Sequence, residues 1–407
     1  MSLWRSGIFW SIIAFAGGLG NLAFQTIIGH RMQGPEFGRA TTLLSSILFF
    51  GLPMQMASTA VIHYVAHFRS HNDDARLQGL LAGCQSFLFK VTIAGSVLAV
   101  TLANPFGRFF GYTGAEMFAA ILCVLVGLWS AFAIALCQGM SWFKRLALIN
   151  FVAVLMRLLF GWLATGAYPK ASVAVSATTF SLLANLALLY WWKDIFRRDA
   201  AKTSPWNREF FEFLIVAGGF VVGTFFFLSG DGLISQLYFS GTKLNEYSAA
   251  GVFARAIPAT VGPLLNVFFT SRSGRKNDQS AKDQKILLGL YAVGLASGAA
   301  FLFVLRDPLL KLLGKYSIES SAMVPRYALA LALAGLIQAI GTWSLASRWY
   351  KIALTYGGLG VAYWLFLLGA GTNPDKLLHA MVLGTAAALA ILGGAWLMAV
   401  RQKTPEL

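Results

Sequence analysis

The sequence predicts an all-α integral membrane protein, with twelve transmembrane helices in two six-helix lobes related by a pseudo-two-fold axis along the membrane normal. Three observations lead there: apolar residues crowd out charged ones, twelve apolar runs are each long enough to cross a bilayer, and short motifs recur between the halves. Of 407 residues, 57% are hydrophobic and only 12% charged, against roughly 45–50% and about 25% in soluble domains. The mean hydropathy of +0.66 excludes a soluble globular protein, a disordered chain and a collagen-like fibre. Lys and Arg number 32 against 16 Asp and Glu, a formal charge of +16. Most of these cations lie in short stretches between apolar runs, so they read as orientation signals, and no nucleic-acid partner is expected.

A hydrocarbon core about 30 Å thick takes about 20 helical residues. The runs are Gly7 to Gly29, Ala40 to Val65, Gly79 to Ala103, Phe118 to Gly139, Leu146 to Gly166, Val175 to Trp192, Phe211 to Leu228, Tyr247 to Thr270, Ile286 to Leu305, Tyr327 to Ser347, Ile352 to Gly371 and Met381 to Val400. They are helices because lipid cannot satisfy an open strand edge, and a barrel would alternate apolar with polar residues. Ala14-Phe15-Ala16 resembles a signal-peptidase site, but the apolar run continues to Ile28, which predicts an uncleaved first helix. Cys84, Cys123 and Cys137 lie inside apolar runs without Cys-x-x-Cys spacing and read as packing residues, not as a disulfide framework or zinc site.

Orientation follows from the basic residues. Nineteen Lys and Arg fall on the side of the amino terminus and ten on the other, which places both termini in the cytoplasm. The three left over, Lys90, Arg157 and Arg255, lie within helices.

Glu36-Phe37-Gly38-Arg39-Ala40 precedes Pro53 by the same seventeen residues that separate Glu246, in Glu246-Tyr247-Ser248-Ala249-Ala250, from Pro263, at an offset of 210. Ala16-Gly17-Gly18 and Ala217-Gly218-Gly219 echo each other more weakly. Six helices per half is an even number, so both halves enter the membrane in the same direction, with a substrate cleft expected between them. The expected organisation is an amino-terminal lobe over 1–192, a basic linker over 193–209 and a carboxy-terminal lobe over 210–407.

A charge at the bilayer centre costs roughly 2.5–3.5 kcal/mol on insertion scales and is rarely there without a use. Lys90 and Arg157 each fall about 16 Å into their helices, and Arg255 about 12 Å from an outer end. Of the acids, Asp231 alone is expected within a helix among them, so the interior carries excess positive charge suited to an anionic ligand. Arg39 and Arg31 would extend that surface at the outer end. The alternatives are snorkelling for Lys90, capping of carbonyls for Arg157, pairing with Asp231 for Arg255, and a solvated loop position for Arg31 and, less so, for Arg39.

His63, His67 and His71 share a helical face, but the zinc-protease glutamate is missing and no metal site is expected. Gly314-Lys315 is followed by Tyr316, so there is no phosphate-binding loop for ATP, and neither Gly294 to Gly298 nor Ser141-x-x-Lys144 forms a nucleophile motif. Catalysis is not expected. Tyr190, Trp191, Trp192, Trp206, Trp349 and Tyr350 read as interfacial anchors.

Gly34-Pro35-Glu36-Phe37-Gly38 resembles the Leu-Gly-Pro-Glu-x-Phe/Tyr-Gly element of bacterial polysaccharide exporters. Gln138-Gly139 with Phe143, Leu146 and Arg157-Leu158 is similar to the segment across helices four and five of O-antigen flippases, and Asp231, Tyr247 to Ala250 and Pro263 look like the start of their second half. These motifs resemble the multidrug/oligosaccharidyl-lipid/polysaccharide (MOP) exporter superfamily. Met32-Gln33 and His63 depart from the pattern, which usually has an apolar pair and often an arginine there. The resemblance implies a MATE-like fold and translocation of an undecaprenyl-diphosphate-linked oligosaccharide by alternating access. The diphosphate would rest on Lys90, Arg157 and Arg255. Expected partners are a lipid-linked anionic glycan, membrane lipids, and polysaccharide polymerase and glycosyltransferase machinery. No cofactor is expected beyond a coupling H+ or Na+, for which Asp231 is the candidate. The rival readings are a multidrug exporter of the same superfamily, which the scarcity of intramembrane acids disfavours, a lipid II flippase, a membrane glycan polymerase or ligase, and a scaffold subunit.

Overall fold

The computed structural model describes residues 3–32, 36–109, 112–191, 208–274, 279–314 and 317–403. Side chains are described from residue 16, apart from 45–46, 109, 190–191, 274, 279–283 and 401–403. Most of the expected linker, including Lys193, Arg197, Arg198 and Lys202, and the anchors Tyr190, Trp191, Trp192 and Trp206 lie outside this description, as do Gly34 and Pro35.

Every regular element among the described residues is a helix. The order is α1 (Leu3–Arg31), α2 (Glu36–Phe50), α3 (Leu52–Ser70), α4 (Asp74–Phe109), α5 (Gly114–Gly139), α6 (Phe143–Ala167), α7 (Ala171–Trp191), α8 (Arg208–Leu228), α9 (Gly230–Tyr238), α10 (Gly241–Gly274), α11 (Gln279–Leu312), α12 (Ile318–Ala346), α13 (Tyr350–Ala370) and α14 (Pro374–Lys403). Ten of these are long and apolar enough to cross a membrane, and α2 with α3 makes an eleventh, bent span. With α1, 29 residues long, the twelve expected spans are accounted for, and the chain is a multi-pass membrane protein. Exposed Phe87, Ile93, Val97, Val293 and Val304 give the helices the apolar outer surface that lipid requires.

The second span departs from the single helix expected over Ala40 to Val65. It breaks at Gly51, and α2 and α3 meet at 51°. Pro53 stands in the first turn of α3, where its missing N–H costs nothing but its ring opposes a helix continuing from the preceding turn. Its repeat counterpart Pro263 lies with Pro258 inside an unbroken α10, so a shared proline has two structural outcomes.

The chain divides into two compact units, Met1–Leu214 with Ser273–Lys276, and Ile215–Arg272 with Asn277–Leu407. In the first, α6 packs against α1 and α7, and α5 against α3, α4 and α7. In the second, α12 packs against α11, α13 and α14. Within this second unit α8 and α13 meet backbone to backbone. A Cβ on Gly357 would lie 2.5 Å from the Gly219 carbonyl oxygen, and one on Gly360 2.5 Å from the Gly223 Cα. Small residues at such a crossing exchange side-chain volume for close van der Waals contact, as membrane helices commonly do.

Local geometry repeats between the units. Thr113 closes a capping box on Glu116 at the start of α5, as Ser317 does on Ser320 at the start of α12. The α5–α6 turn places Ser141 at φ 58°, and the α12–α13 turn places Arg348 at φ 58°. In each turn the tryptophan that follows donates its N–H 2.8 Å to a carbonyl five residues back, Trp142 to Cys137 and Trp349 to Ser344. The two turns are 207 residues apart, close to the 210 of the sequence motifs. The three cysteines are free and buried, as packing residues should be.

Candidate functional site: two arginine clusters in apolar helices

Asp231 is the centre of the larger cluster, in the second unit. The chain interrupts its helix at Ser229 and starts again at Gly230 as α9, which puts Asp231 in a first turn where backbone N–H groups favour a carboxylate. Gly230 is required there because a side chain would collide with Trp364 and Phe226, and the Trp364 indole donates to the Gly230 carbonyl at 3.1 Å.

Asp231 is 1% exposed. Arg255 donates to its Oδ2 at 2.7 Å from Nη2, Tyr247 donates to the same oxygen at 2.9 Å, and Tyr327 donates to it as well. All of these contacts end on Oδ2, and none of the described contacts ends on Oδ1. Tyr247 and Arg255 are eight residues apart on α10, two turns and therefore one face. Tyr327 comes from α12, also accepts from Arg255 at 2.6 Å, and packs its ring 5.2 Å from that of Tyr247. Met381 Sδ of α14 takes a long 3.4 Å contact from Tyr247. Tyr363 of α13 buries a hydroxyl with no partner.

The expectation of an open cation at Arg255 is therefore corrected. Its charge is matched by Asp231, and its side chain is 26% exposed. Burying the pair removes both charges from water, so the tyrosine donors are needed to make the carboxylate tolerable. The cluster is net neutral while Asp231 is ionised.

In the first unit Arg157 of α6 is half-buried against α1. Its Nη1 donates to Asn21 Oδ1 at 2.6 Å and its guanidinium lies 4.2 Å from the Phe24 ring centroid. The small residues Gly20 and Gly161 let the two helices approach, since a Cβ at either would strike Val154 or Phe24. No carboxylate comes within ion-pair distance of Arg157 among the described residues.

The remaining predicted cations have other surroundings. Arg39 sits between Glu36 at 3.9 Å and Glu116 at 3.8 Å. Those carboxylates also receive the backbone N–H groups of Ala171 and Thr113, so Arg39 helps tie the starts of α2, α5 and α7 together. Arg31 donates to the Trp162 carbonyl at 2.6 Å and lies over that indole at 5.2 Å, and is not a solvated loop charge. Lys90 is exposed on α4 beside Ile93 and Val97, and no described contact joins it to Arg157. His63 is buried with its ring stacked 4.2 Å from Phe213, and no group of metal-ligating side chains occurs among the described residues.

Sequence reasoning missed Tyr327 and treated Tyr247 as a repeat and family marker, not as a partner of Asp231. The eight-residue spacing of Tyr247 and Arg255 was a usable signal. Nothing local marks Tyr327.

No protein-family model matches the chain, and no curated protein matches it. Solved structures do. An outward-facing multidrug resistance MATE family transporter of the MOP superfamily aligns with a TM-score of 0.69 at 14% identity, covering 99% of this chain and 97% of that one. A MATE protein in its straight conformation aligns at 0.71 and 10% identity, with the same coverage. A MOP superfamily transporter from Pyrococcus furiosus Vc1, whose binding pocket is described as of reverse polarity and suggestive of a different function, aligns at 0.67 and 14%, covering 98% and 96%. The chain thus shares the fold of these transporters over nearly its whole length.

Proposed function

We propose that the chain is a MATE-type exporter driven by protons that load on Asp231. The observation that carries this reading is the buried carboxylate itself, held by Arg255, Tyr247 and Tyr327 and with Oδ1 unengaged by any described contact. Intramembrane acids are rare and mark proton or ion pathways. Protons suit the site better than sodium, because the groups turned toward Oδ2 are N–H and O–H donors and a guanidinium occupies the ground a metal cation would take. The earlier objection to a multidrug exporter was a shortage of membrane acids, and one acid so placed is enough to couple transport. The resemblance of its motifs to bacterial exporters supports residence in a bacterial inner membrane, and the basic-residue asymmetry supports cytoplasmic termini.

A second reading, export of a lipid-linked anionic glycan in concert with polymerase and glycosyltransferase machinery, retains one supporting feature, the uncompensated Arg157. The test is reconstitution in proteoliposomes with an imposed pH gradient, using ethidium for the first reading and a fluorescent undecaprenyl-diphosphate glycan for the second. Proton-driven ethidium movement that is lost in Asp231→Asn supports the first. Glycan translocation indifferent to Asp231→Asn, with no ethidium movement, overturns it.

A further inference from the structure

Of the ten helices long and apolar enough to span a membrane, α4 is the least buried, and it packs chiefly on α5 and α3. Its outward face carries exposed Phe87, Phe89, Ile93, Val97 and Leu98, a composition suited to lipid. In the middle of that face stands Lys90, also exposed. It is 16 residues from Asp74 and 19 from Phe109, about 24 and 28 Å along the helix. No ion pair among the described residues engages it. The apolar run starts at Gly79, about 16 Å away by the helical rise, a depth that a stem of four methylenes does not cover by snorkelling.

The second unit shows what the same place holds without a special use. Pro105 stands four residues before the end of α4 at Phe109, and Pro308 four before the end of α11 at Leu312. Fifteen residues ahead of these prolines are Lys90 and Val293, and Val293 is 66% exposed. One unit thus presents an apolar side chain to lipid where the other presents a cation. An ionisable group in a span is costly and implies a partner. One turn to either side of Lys90, Ser86 and Ala94 are exposed as well, and side chains this small let a second helix come close.

We propose that the face of α4 centred on Lys90 docks a transmembrane helix of another protein, one that carries an aspartate or glutamate at mid-bilayer depth. A carboxylate against the ammonium makes a pair that is neutral overall, so neither charge faces hydrocarbon alone. A second copy of this chain does not fit. Asp231 is buried, and every other acid in a described helix lies within six residues of that helix's end. The surface goes beyond the proton-coupling reading and is independent of the cargo.

The experiment places the full chain, with a donor dye on Phe106→Cys at the exposed outer end of α4, in phosphatidylcholine vesicles. The probe is an acceptor-labelled polyleucine transmembrane peptide with one central glutamate. Saturable energy transfer is expected, with association about tenfold tighter than for the all-leucine peptide. Lys90→Val, the residue type that the matching helix already carries at Val293, should fall to the all-leucine level. Lys90→Glu should release the glutamate peptide and take up one with a central lysine. Equal association of the glutamate and leucine peptides with wild type, or of the glutamate peptide with wild type and Lys90→Val, overturns the proposal. Loss of the glutamate preference when phosphatidylglycerol is added also overturns it and assigns Lys90 to lipid phosphate. Asp231→Asn should bind the peptide as wild type does, which separates failure of this surface from failure of the coupling reading.

Discussion

Arg157 and Arg255 are guanidinium groups set in apolar helices of one protein, yet Arg255 lies 2.7 Å from a carboxylate and Arg157 2.6 Å from an amide. The local repeat shows how the difference arose. Arg157 and Trp364 are separated by the same 207 residues as the two matching turns, and each donates across to another helix of its unit, Arg157 to Asn21 of α1 and Trp364 to Gly230 of α9. Next to Gly230 the second unit has Asp231, 210 residues after Asn21. The second unit thus places its acid where the first has an amide, and brings an arginine from a different helix, α10, to match it. One scaffold holds an arginine with no carboxylate partner among the described residues in one half and an arginine–aspartate pair in the other.

Breaking the pair should have the largest effect. Arg255→Met leaves Asp231 buried and unpaired, and should lower stability by about 3–5 kcal/mol in denaturation followed by tryptophan fluorescence, with most of the loss recovered in the double variant Asp231→Asn/Arg255→Met. The matching change in the first unit, Arg157→Met, should cost far less because no acid is stranded. Equal losses would erase the distinction between the units. Packing comes next: Gly357→Val forces a side chain into the Gly219 backbone and should cost at least about 1–3 kcal/mol and lower the yield of monodisperse protein. Within the acid cluster, Tyr327→Phe removes a donor from Asp231 and should cost about 1.5–3 kcal/mol, whereas Tyr363→Phe removes a hydroxyl without a partner and should be neutral within about 0.5 kcal/mol. The repeat itself predicts the smallest pair of effects: Thr113→Ala and Ser317→Ala each delete an equivalent cap and should each cost about 1 kcal/mol.

The twelve spans were legible because continuous hydrophobicity over about 20 residues has a single structural meaning in a membrane. The pairing of Arg255 with Asp231 was legible only as one alternative. The two residues are 24 apart and joined through the turn between α9 and α10, and composition alone cannot say which acid a cation finds. Glu116 was hidden for the same reason, since its part in fixing Arg39 depends on α2 and α5 starting side by side. The break at Gly51 could not be separated from the unbroken α10 by the prolines, because both halves have one at the same place and only the packing around it decides whether the helix is interrupted.

Protonation of Asp231 is the step on which the proposed exporter depends, and pH-difference infrared spectroscopy reads it directly. The account predicts a carboxylic-acid carbonyl band that appears as the pH falls in the wild-type protein and is missing in Asp231→Asn. A band of equal size in both proteins would contradict it.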